Sequence, residues 1–426
     1  MNLTRRYFLQ SGGAIAAYLG VSPALALRAA GLTPRTVNRN KTLVVIFLRG
    51  GADGLNLVVP YGDAHYAQLR RSIALGAPGS GEGSVHDLDG RFGLHPRMGA
   101  LREWFASGHA LALHAVGYAQ NTRSHFEEQD VWETGVVGNT VGSDGWLNRH
   151  LATSTGHGPL RAVAVGDTLP RILHGRAPAF AIRGLSDLTI PTEGQDRARV
   201  LGALEHAYKV DPGAHSGDAR EVVMEAGATT LGGVAQLGAL ADTDYKASAR
   251  YPKTELARRL MQVARLIKAD VGLEVAEVDF GGWDTHANQG QGPGGAFGSL
   301  AQTLAGAMDA FGKDLGPRLD DTLVVTLTDF GRTAAENGTR GTDHGWANCM
   351  FLMGGAVKHG PAAAHGQRVV TDWPGLAPDQ LHEERDLLHT TDFRDVLAEL
   401  VRVHLGNDNL EKLLPGHEFR PVGVIG

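Results

Sequence analysis

The chain has 426 residues, a formal charge of −6, 42% hydrophobic residues, 58 glycines, 19 histidines and a single cysteine. An acidic chain without a Lys/Arg-rich run has no electrostatic reason to bind nucleic acid or anionic lipid. One cysteine excludes an intramolecular disulfide.

The N-terminus reads Thr4-Arg5-Arg6-Tyr7-Phe8-Leu9-Gln10. Adjacent arginines followed by an aromatic and a leucine match the twin-arginine export pattern. The apolar stretch from Ala14 to Ala26 is broken by Gly20 and Pro23. It is too short to span a bilayer, which needs roughly 20 apolar residues. Ala24-Leu25-Ala26 offers a small-x-small cleavage site, so residues 1–26 read as a signal peptide and 27–426 as the mature protein. Removing Arg5 and Arg6 and no acids leaves a mature charge of −8. The expected partner is the twin-arginine translocase during export. The expected location is the periplasm, or outside the cell, with no stable membrane anchor.

Lys41 to Leu48 is a continuous apolar, β-branched run that ends in Arg49-Gly50-Gly51-Ala52-Asp53-Gly54. This is the pattern of a central strand covered on both faces and followed by a glycine loop. Leu111–Val116, Arg161–Val165, Leu273–Asp279 and Leu323–Leu327 read as further strands. Cys349 lies in Asn348-Cys349-Met350-Phe351-Leu352, a buried strand in which it serves as a small hydrophobe. Leu256, Leu260, Val263, Ala264 and Ile267 share one helix face, as do Leu300, Leu304, Met308, Phe311 and Leu315. Thr391 to Leu405 reads as a helix with Asp392 near its start. Strands alternating with helices imply an α/β fold with a mainly parallel sheet between helices. Residues 76–84 and 289–298 are rich in small and polar residues and read as exposed loops. The stretch 170–250 reads as an insertion or cap over a single large domain.

Ligands of an open parallel sheet bind just past the carboxyl ends of its strands. That rule gathers Asp53, Asp284, His286, Asp329, Asp343 and His344 at one edge. Carboxylates and imidazoles together suit Zn, Mn, Mg or Ca. Without a cation, the four carboxylates would repel one another. Each aspartate taken alone also fits a turn or helix cap.

Ser124-His125-Phe126-Glu127 has the spacing of a capping box opening a helix. A helix start can also bind an anion and hold a hydroxyl nucleophile. Ser124 or Thr122 is therefore a candidate nucleophile, and Arg123 a candidate anion clamp. Arg332, just past Asp329, is a second candidate clamp. Trp283 and Trp346 flank the acidic motifs and read as core aromatics. Gly50-Gly51-Ala52-Asp53-Gly54 lacks the G-x-G-x-x-G spacing of a dinucleotide site, which argues against an oxidoreductase.

The segments Phe47–Gly54, Thr122–Phe126, Gly282–His286, Thr328–Arg332, Asp343–Gly345 and Thr390–Arg394 together resemble an exported bacterial family of unknown activity, domain of unknown function 1501. That family looks like a distant relative of the alkaline phosphatase and sulfatase superfamily. The resemblance implies an alkaline-phosphatase-like three-layer sandwich, one or two divalent metals, a small anionic ester as substrate and a hydroxyl nucleophile at a helix start. It implies Asp53, Asp284, His286, Asp329 and His344 as ligands and Ser124, or else Thr122, as nucleophile. Two departures stand out. Phe330 occupies the place where the superfamily commonly has a histidine ligand. The Asp284-Thr285-His286 spacing is also narrower than usual, so one metal position is missing or rebuilt, with Asp343 a candidate replacement. The expected activity is a metal-dependent hydrolase of phosphate or sulfate esters. The alternative is a non-catalytic periplasmic binding or assembly factor on the same fold.

Overall fold

The computed structural model describes residues 41–426 apart from residues 82, 141, 155, 157, 186–202, 205, 209–218, 242 and 291–293. The expected signal peptide and part of the stretch 170–250 therefore lie outside the described residues. Nine strands of the main sheet are numbered here in chain order: β1 Thr42–Leu48, β2 Ala110–Gly117, β3 Ala162–Val165, β4 Phe180–Ile182, β5 Val275–Phe280, β6 Thr322–Thr328, β7 Asn348–Gly354, β8 Val369–Val370 and β9 Thr391–Asp392. Their order across the sheet is β8-β2-β7-β6-β1-β5-β3-β4, with β9 also pairing β2. β1 lies at the centre, parallel to β5 on one side and β6 on the other. Only β7 runs against the rest, antiparallel to both β2 and β6.

All seven residues of β1 are buried, as a strand covered on both faces requires. Val44, Ile46 and Leu48 point to one face, against Leu256, Leu260 and Val263 of α4 (Glu255–Lys268) and Leu304, Met308 and Phe311 of α5 (Gly295–Leu315). Leu43, Val45 and Phe47 point to the other. They meet Trp132 of α1 (His125–Thr134), Trp146 of α2 (Trp146–Thr153) and Phe393 of α6 (Phe393–Glu399). The period-two alternation of a strand thus feeds two separate cores, and the fold is a mainly parallel sheet between two helical layers. A further helix, α3, spans Ala219–Ala241. Among the described residues, no helix is long and apolar enough to cross a membrane.

The expected exposed loop at 76–84 is largely exposed. That at 289–298 is not a loop throughout. Gln289 is fully buried, and from Gly295 the chain is already α5, with Phe297 in the core. Gly294, Gly295 and Ala296 are exposed as expected, so the departure lies in Gln289 and in the buried Phe297 and Gly298. Trp283 and Trp346 are buried, as is Cys349. Burial pushes the Cys349 thiol far above its usual pKa, which keeps it un-ionised and inert.

Parallel strands bring five segments to one edge. Arg49–Asp53 follows β1, Asn121–His125 follows β2, Asp284–His286 follows β5 and Asp329 follows β6. β7 runs the opposite way, so the residues that precede it, Asp343 and His344, enter the same edge.

Candidate functional site

Two glycines permit this edge to close. Gly50 has φ +115°, and a Cβ there would lie 2.6 Å from the Asp284 nitrogen. Gly51 has φ +69°, and a Cβ there would lie 2.5 Å from the Phe330 ring. Both backbones sit in the left-handed region that side chains disfavour, so glycine serves the turn and the close approach together.

At the edge, three imidazoles surround one carboxylate oxygen. Asp284 Oδ1 lies 3.0 Å from His286 Nε2, 3.2 Å from His344 Nε2 and 3.6 Å from His125 Nε2. His286 Nε2 and His344 Nε2 are themselves 3.0 Å apart. The donor atoms of His125, Asp284 and His344 all lie within 4.8 Å of one another.

The hydrogen bonds behind the rings set their tautomers. His344 Nδ1 is 2.9 Å from the Arg123 carbonyl oxygen, which can only accept. His286 Nδ1 is 3.0 Å from Asp343 Oδ1, and His125 Nδ1 is 2.6 Å from Asp329 Oδ2. His344 Nδ1 therefore donates outward, and the Asp343 and Asp329 carboxylates favour the same tautomer in His286 and His125. In the neutral rings all three Nε2 lone pairs are then turned toward the Asp284 carboxylate. The Nε2 atoms of His125, His286 and His344 thus face Asp284 Oδ1, which also accepts from Arg332 Nη2 at 2.6 Å. A tetrahedral zinc site, with ligand atoms about 2.0–2.1 Å from the ion, spaces those atoms roughly 3.3 Å apart. The observed distances straddle that value, and outward-facing Nδ1–H groups on carboxylates and carbonyls are the usual support of metal-binding histidines. The donor set thus fits a divalent cation.

Asp284 is anchored by Arg332. Burial works to raise its carboxyl, but the Arg332 guanidinium, with His286 and His344, more than offsets this and holds it below the usual carboxylate range. Asp343 is likewise held low, first by the hydrogen bond from Asn337 and then by His286, against a weaker effect of burial. Burial lowers the His344 imidazole, the bond to the Arg123 carbonyl opposing it. Phe330 lies beneath the cluster, its ring centroid 4.7 Å from that of His125 and 4.5 Å from that of His344. Phe330 thus packs against two of the converging rings.

The predicted residues thus divide into three groups. Asp284, His286 and His344 present donor atoms to a common centre. Asp329 and Asp343 stand behind them as hydrogen-bond acceptors. Asp329 is fully buried and takes further bonds from the Gly50 amide at 3.3 Å and from Gln129 Nε2 at 2.9 Å. Asp53 does not join them. Its Oδ2 is bound at 2.6 Å by Arg70 Nη1 and at 2.6 Å by Gln289 Nε2, all three residues being buried. A buried guanidinium already neutralises that carboxylate, and the chain turns into the short helix Gly54–Leu57 straight after it.

Three further expectations are corrected by the hydrogen bonds. The Ser124 side chain makes no cap bond, so the Ser124/Glu127 capping box does not form. Glu128, one residue on and buried, reaches back instead to the Thr122 amide at 2.7 Å and hydroxyl at 3.0 Å. That engages the Thr122 hydroxyl and leaves Ser124 Oγ free at the helix start. Arg332 is no open anion clamp. It is fully enclosed and donates to the carbonyls of Gly50, Gly51, Trp283 and Thr342 and to Asp284. Arg123, with φ +61°, is held by Asp386 Oδ2 at 2.7 Å and Glu383 Oε2 at 2.6 Å.

Sequence reasoning missed His125 and its support, Gln129. Both stand on α1, four residues apart and hence on one face. Gln129 Oε1 in turn accepts from Arg49 Nη1 at 3.3 Å. The signal was present inside the Thr122–Phe126 motif, where attention went to the hydroxyls.

The fold and this edge define an α/β protein with a histidine-rich, carboxylate-anchored centre at the carboxyl ends of a mainly parallel sheet. The chain belongs to the family described as Protein of unknown function (DUF1501), whose model matches residues 40–409. No curated protein matches the sequence. Among solved structures, similarity is found to the PsFucS1 sulfatase from Pseudoalteromonas sp.. That similarity has 10% identity and a TM-score of 0.31, covering 82% of this chain and 66% of the sulfatase. A likeness that weak carries no argument about activity.

Proposed function

We propose that the protein is an exported, metal-dependent hydrolase-like protein acting on phosphate or sulfate esters, a remote member of the alkaline phosphatase and sulfatase superfamily. The observation that carries this reading is the convergence of three Nε2 lone pairs on one carboxylate, with every Nδ1 proton already committed outward. A divalent cation would join the Arg332 guanidinium in offsetting this cluster of lone pairs and carboxylate. His125, Asp284 and His344 would hold that cation, with His286 Nε2 beside Asp284 and His344. Imidazole donors favour zinc, or another metal that accepts nitrogen, over magnesium or calcium. When bound, it supplies Lewis-acid polarisation of an ester oxygen.

The chain's own groups would do the rest. Ser124 stands beside His125 at the first turn of α1 with a free hydroxyl, suited to attack on an ester. The helix start supports negative charge in front of it. Asp329 and Asp343 keep the imidazoles in the tautomer that presents Nε2. Arg332 fixes the Asp284 carboxylate. We further propose that the twin-arginine leader delivers the folded chain to the periplasm.

The experiment is elemental analysis of the purified protein, followed by zinc and manganese titration and a screen of aryl phosphate and sulfate esters. One bound metal per chain and turnover lost on chelation are expected. Equal turnover in fully chelated protein would sink the hydrolase reading. Metal binding without turnover would favour the second reading, a periplasmic binding or assembly factor, for which the full engagement of Arg123 and Arg332 is the specific support.

A further inference from the structure

We propose that Asp386 is a positioning residue for the centre: by holding the Arg123 side chain it fixes the Arg123 carbonyl against which the His344 imidazole is set. The proposal rests on the metal-centre reading above and adds a residue to it from a distant turn.

The turn at 382–386 is closed by its own backbone. The His382 amide donates to the Asp386 carbonyl at 2.8 Å, and the Asp386 amide to the His382 carbonyl at 3.0 Å. Three contacts then tie the turn to the frame of the centre. The Ala334 amide donates to the Arg385 carbonyl at 3.0 Å, which lays the turn beside the segment that carries Arg332. Arg385 Nη2 donates to the His344 carbonyl at 2.9 Å. Asp386 Oδ2 accepts from Arg123 Nε at 2.9 Å and from Arg123 Nη2 at 2.7 Å.

Arg123, Glu383 and Glu384 all have left-handed backbones, with φ +61°, +54° and +54°. That conformation is costly for a residue with a side chain and persists only where the surroundings over-determine it. Arg123 is held from both ends. Its amide donates to Asn121 Oδ1 at 2.7 Å, and its guanidinium is bound by Asp386 with its carbon 5.2 Å from the Trp346 ring centroid. The carbonyl oriented in this way is the one 2.9 Å from His344 Nδ1. A carbonyl only accepts, so Nδ1 carries its hydrogen whether the ring is neutral or charged, and the contact depends on no titration.

The two acids on Arg123 differ in weight. The Glu383 side chain is 59% exposed, and an ion pair in water holds little. The Asp386 side chain is fully enclosed, where a pair is screened much less. Without Asp386, Arg123 would rest on the exposed pair alone. Its guanidinium is itself partly exposed and keeps Glu383, so no enclosed cation is stranded and the chain should still fold.

The first readout needs no metal. Heteronuclear NMR of the full chain in chelator should show the His344 Nδ1 proton, assigned by its loss in His344→Gln, protected from exchange with water. Asp386→Ala and Arg123→Ala should each lose that protection, and Glu383→Ala should keep it. The second readout is zinc titration by calorimetry. Asp386→Ala and Arg123→Ala should each weaken affinity about tenfold, the lower end of the range typical of losing an outer partner. The double variant should lose no more than either alone, because the two side chains act as one contact. A His344 Nδ1 proton that is unprotected in wild type, or that stays protected in Asp386→Ala, overturns the inference and leaves the metal reading intact. So does a zinc affinity unchanged in Asp386→Ala, or effects that multiply in the double variant. Asp386→Asn keeps the volume with a weaker acceptor and should fall between wild type and Asp386→Ala. If Asp386→Ala does not fold, an Asp386→Asn protein equal to wild type in both readouts overturns the inference. Wild type that binds neither zinc nor manganese overturns the metal reading and the inference together.

Discussion

His286 Nε2 stands 3.0 Å from His344 Nε2, and both nitrogens face the same Asp284 oxygen. Both rings spend their Nδ1 hydrogens elsewhere, His286 on Asp343 and His344 on the Arg123 carbonyl. Two lone pairs at hydrogen-bond distance from each other, and from the Asp284 carboxylate, form a contact that a cation resolves. The predictions below turn on that contact and on the buried charges around it.

Removing the anchoring carboxylate should remove the metal. Asp284→Ala is expected to weaken zinc affinity by more than roughly 100-fold, beyond the 10–100-fold typical of losing an outer partner. Asp284→Ala also leaves the enclosed Arg332 guanidinium without its carboxylate, so the thermal midpoint in chelator should fall as well. Calorimetric zinc titration and a melting curve in EDTA check the two halves separately.

Asp329 should behave differently, because it acts through His125. Asp329→Asn keeps the volume but weakens the charged acceptor of the 2.6 Å bond that fixes the ring. Zinc affinity should fall by about 10–100-fold rather than vanish. An affinity loss as large as that of Asp284→Ala would instead make Asp329 a direct ligand.

Asp53 should prove structural. Asp53→Ala leaves the enclosed Arg70 guanidinium without its carboxylate, a loss that typically costs about 3–5 kcal/mol. Chemical denaturation of the metal-free protein should register it. The fraction that remains folded should bind zinc with wild-type stoichiometry; loss of the bound metal in folded protein would place Asp53 at the centre after all.

The buried acid on β5 gives a pH signature. Burial, and then the neighbouring Asp279 carboxylate, raise Glu277 well above the usual range, with Arg49 only partly opposing them. A raised carboxyl pKa in the native state means that the folded chain binds the proton more tightly than the unfolded chain does. The stability this contributes is complete below the ordinary carboxylate range and is lost as pH rises through the raised native value. Glu277→Gln should therefore melt higher than wild type at pH 8, by roughly 2–4 °C for about 1 kcal/mol of relief. The gap should close toward pH 4. A gap that is constant across pH would assign the effect to packing.

Much of this architecture was readable from local pattern. The seven-residue apolar run of β1, the helical faces of α4 and α5 and the polar segments after successive strands are local features. Each appears in the structure where its pattern predicted. The rule that ligands gather past parallel strand ends brought Asp284, His286, Asp329, Asp343 and His344 to one edge. The antiparallel course of β7 was not legible, since a fully buried strand reads the same in either direction. Nor was the burial of Gln289 and Phe297, which lie within a stretch whose composition reads as a surface loop.

The sequence by itself determined which residue types arrive at the carboxyl edge, because strand periodicity and chain order are properties of neighbours along the chain. Only the tertiary structure decided what each of them does there. Asp53 and Asp284 look alike in sequence, yet one is neutralised by a buried arginine and the other faces three imidazoles. Arg332 and Arg123 look like free clamps, yet both are engaged by partners up to 282 residues away along the chain. A side chain's role at such a centre depends on which hydrogen-bond partners remain open to it, and those partners come from segments far apart in sequence.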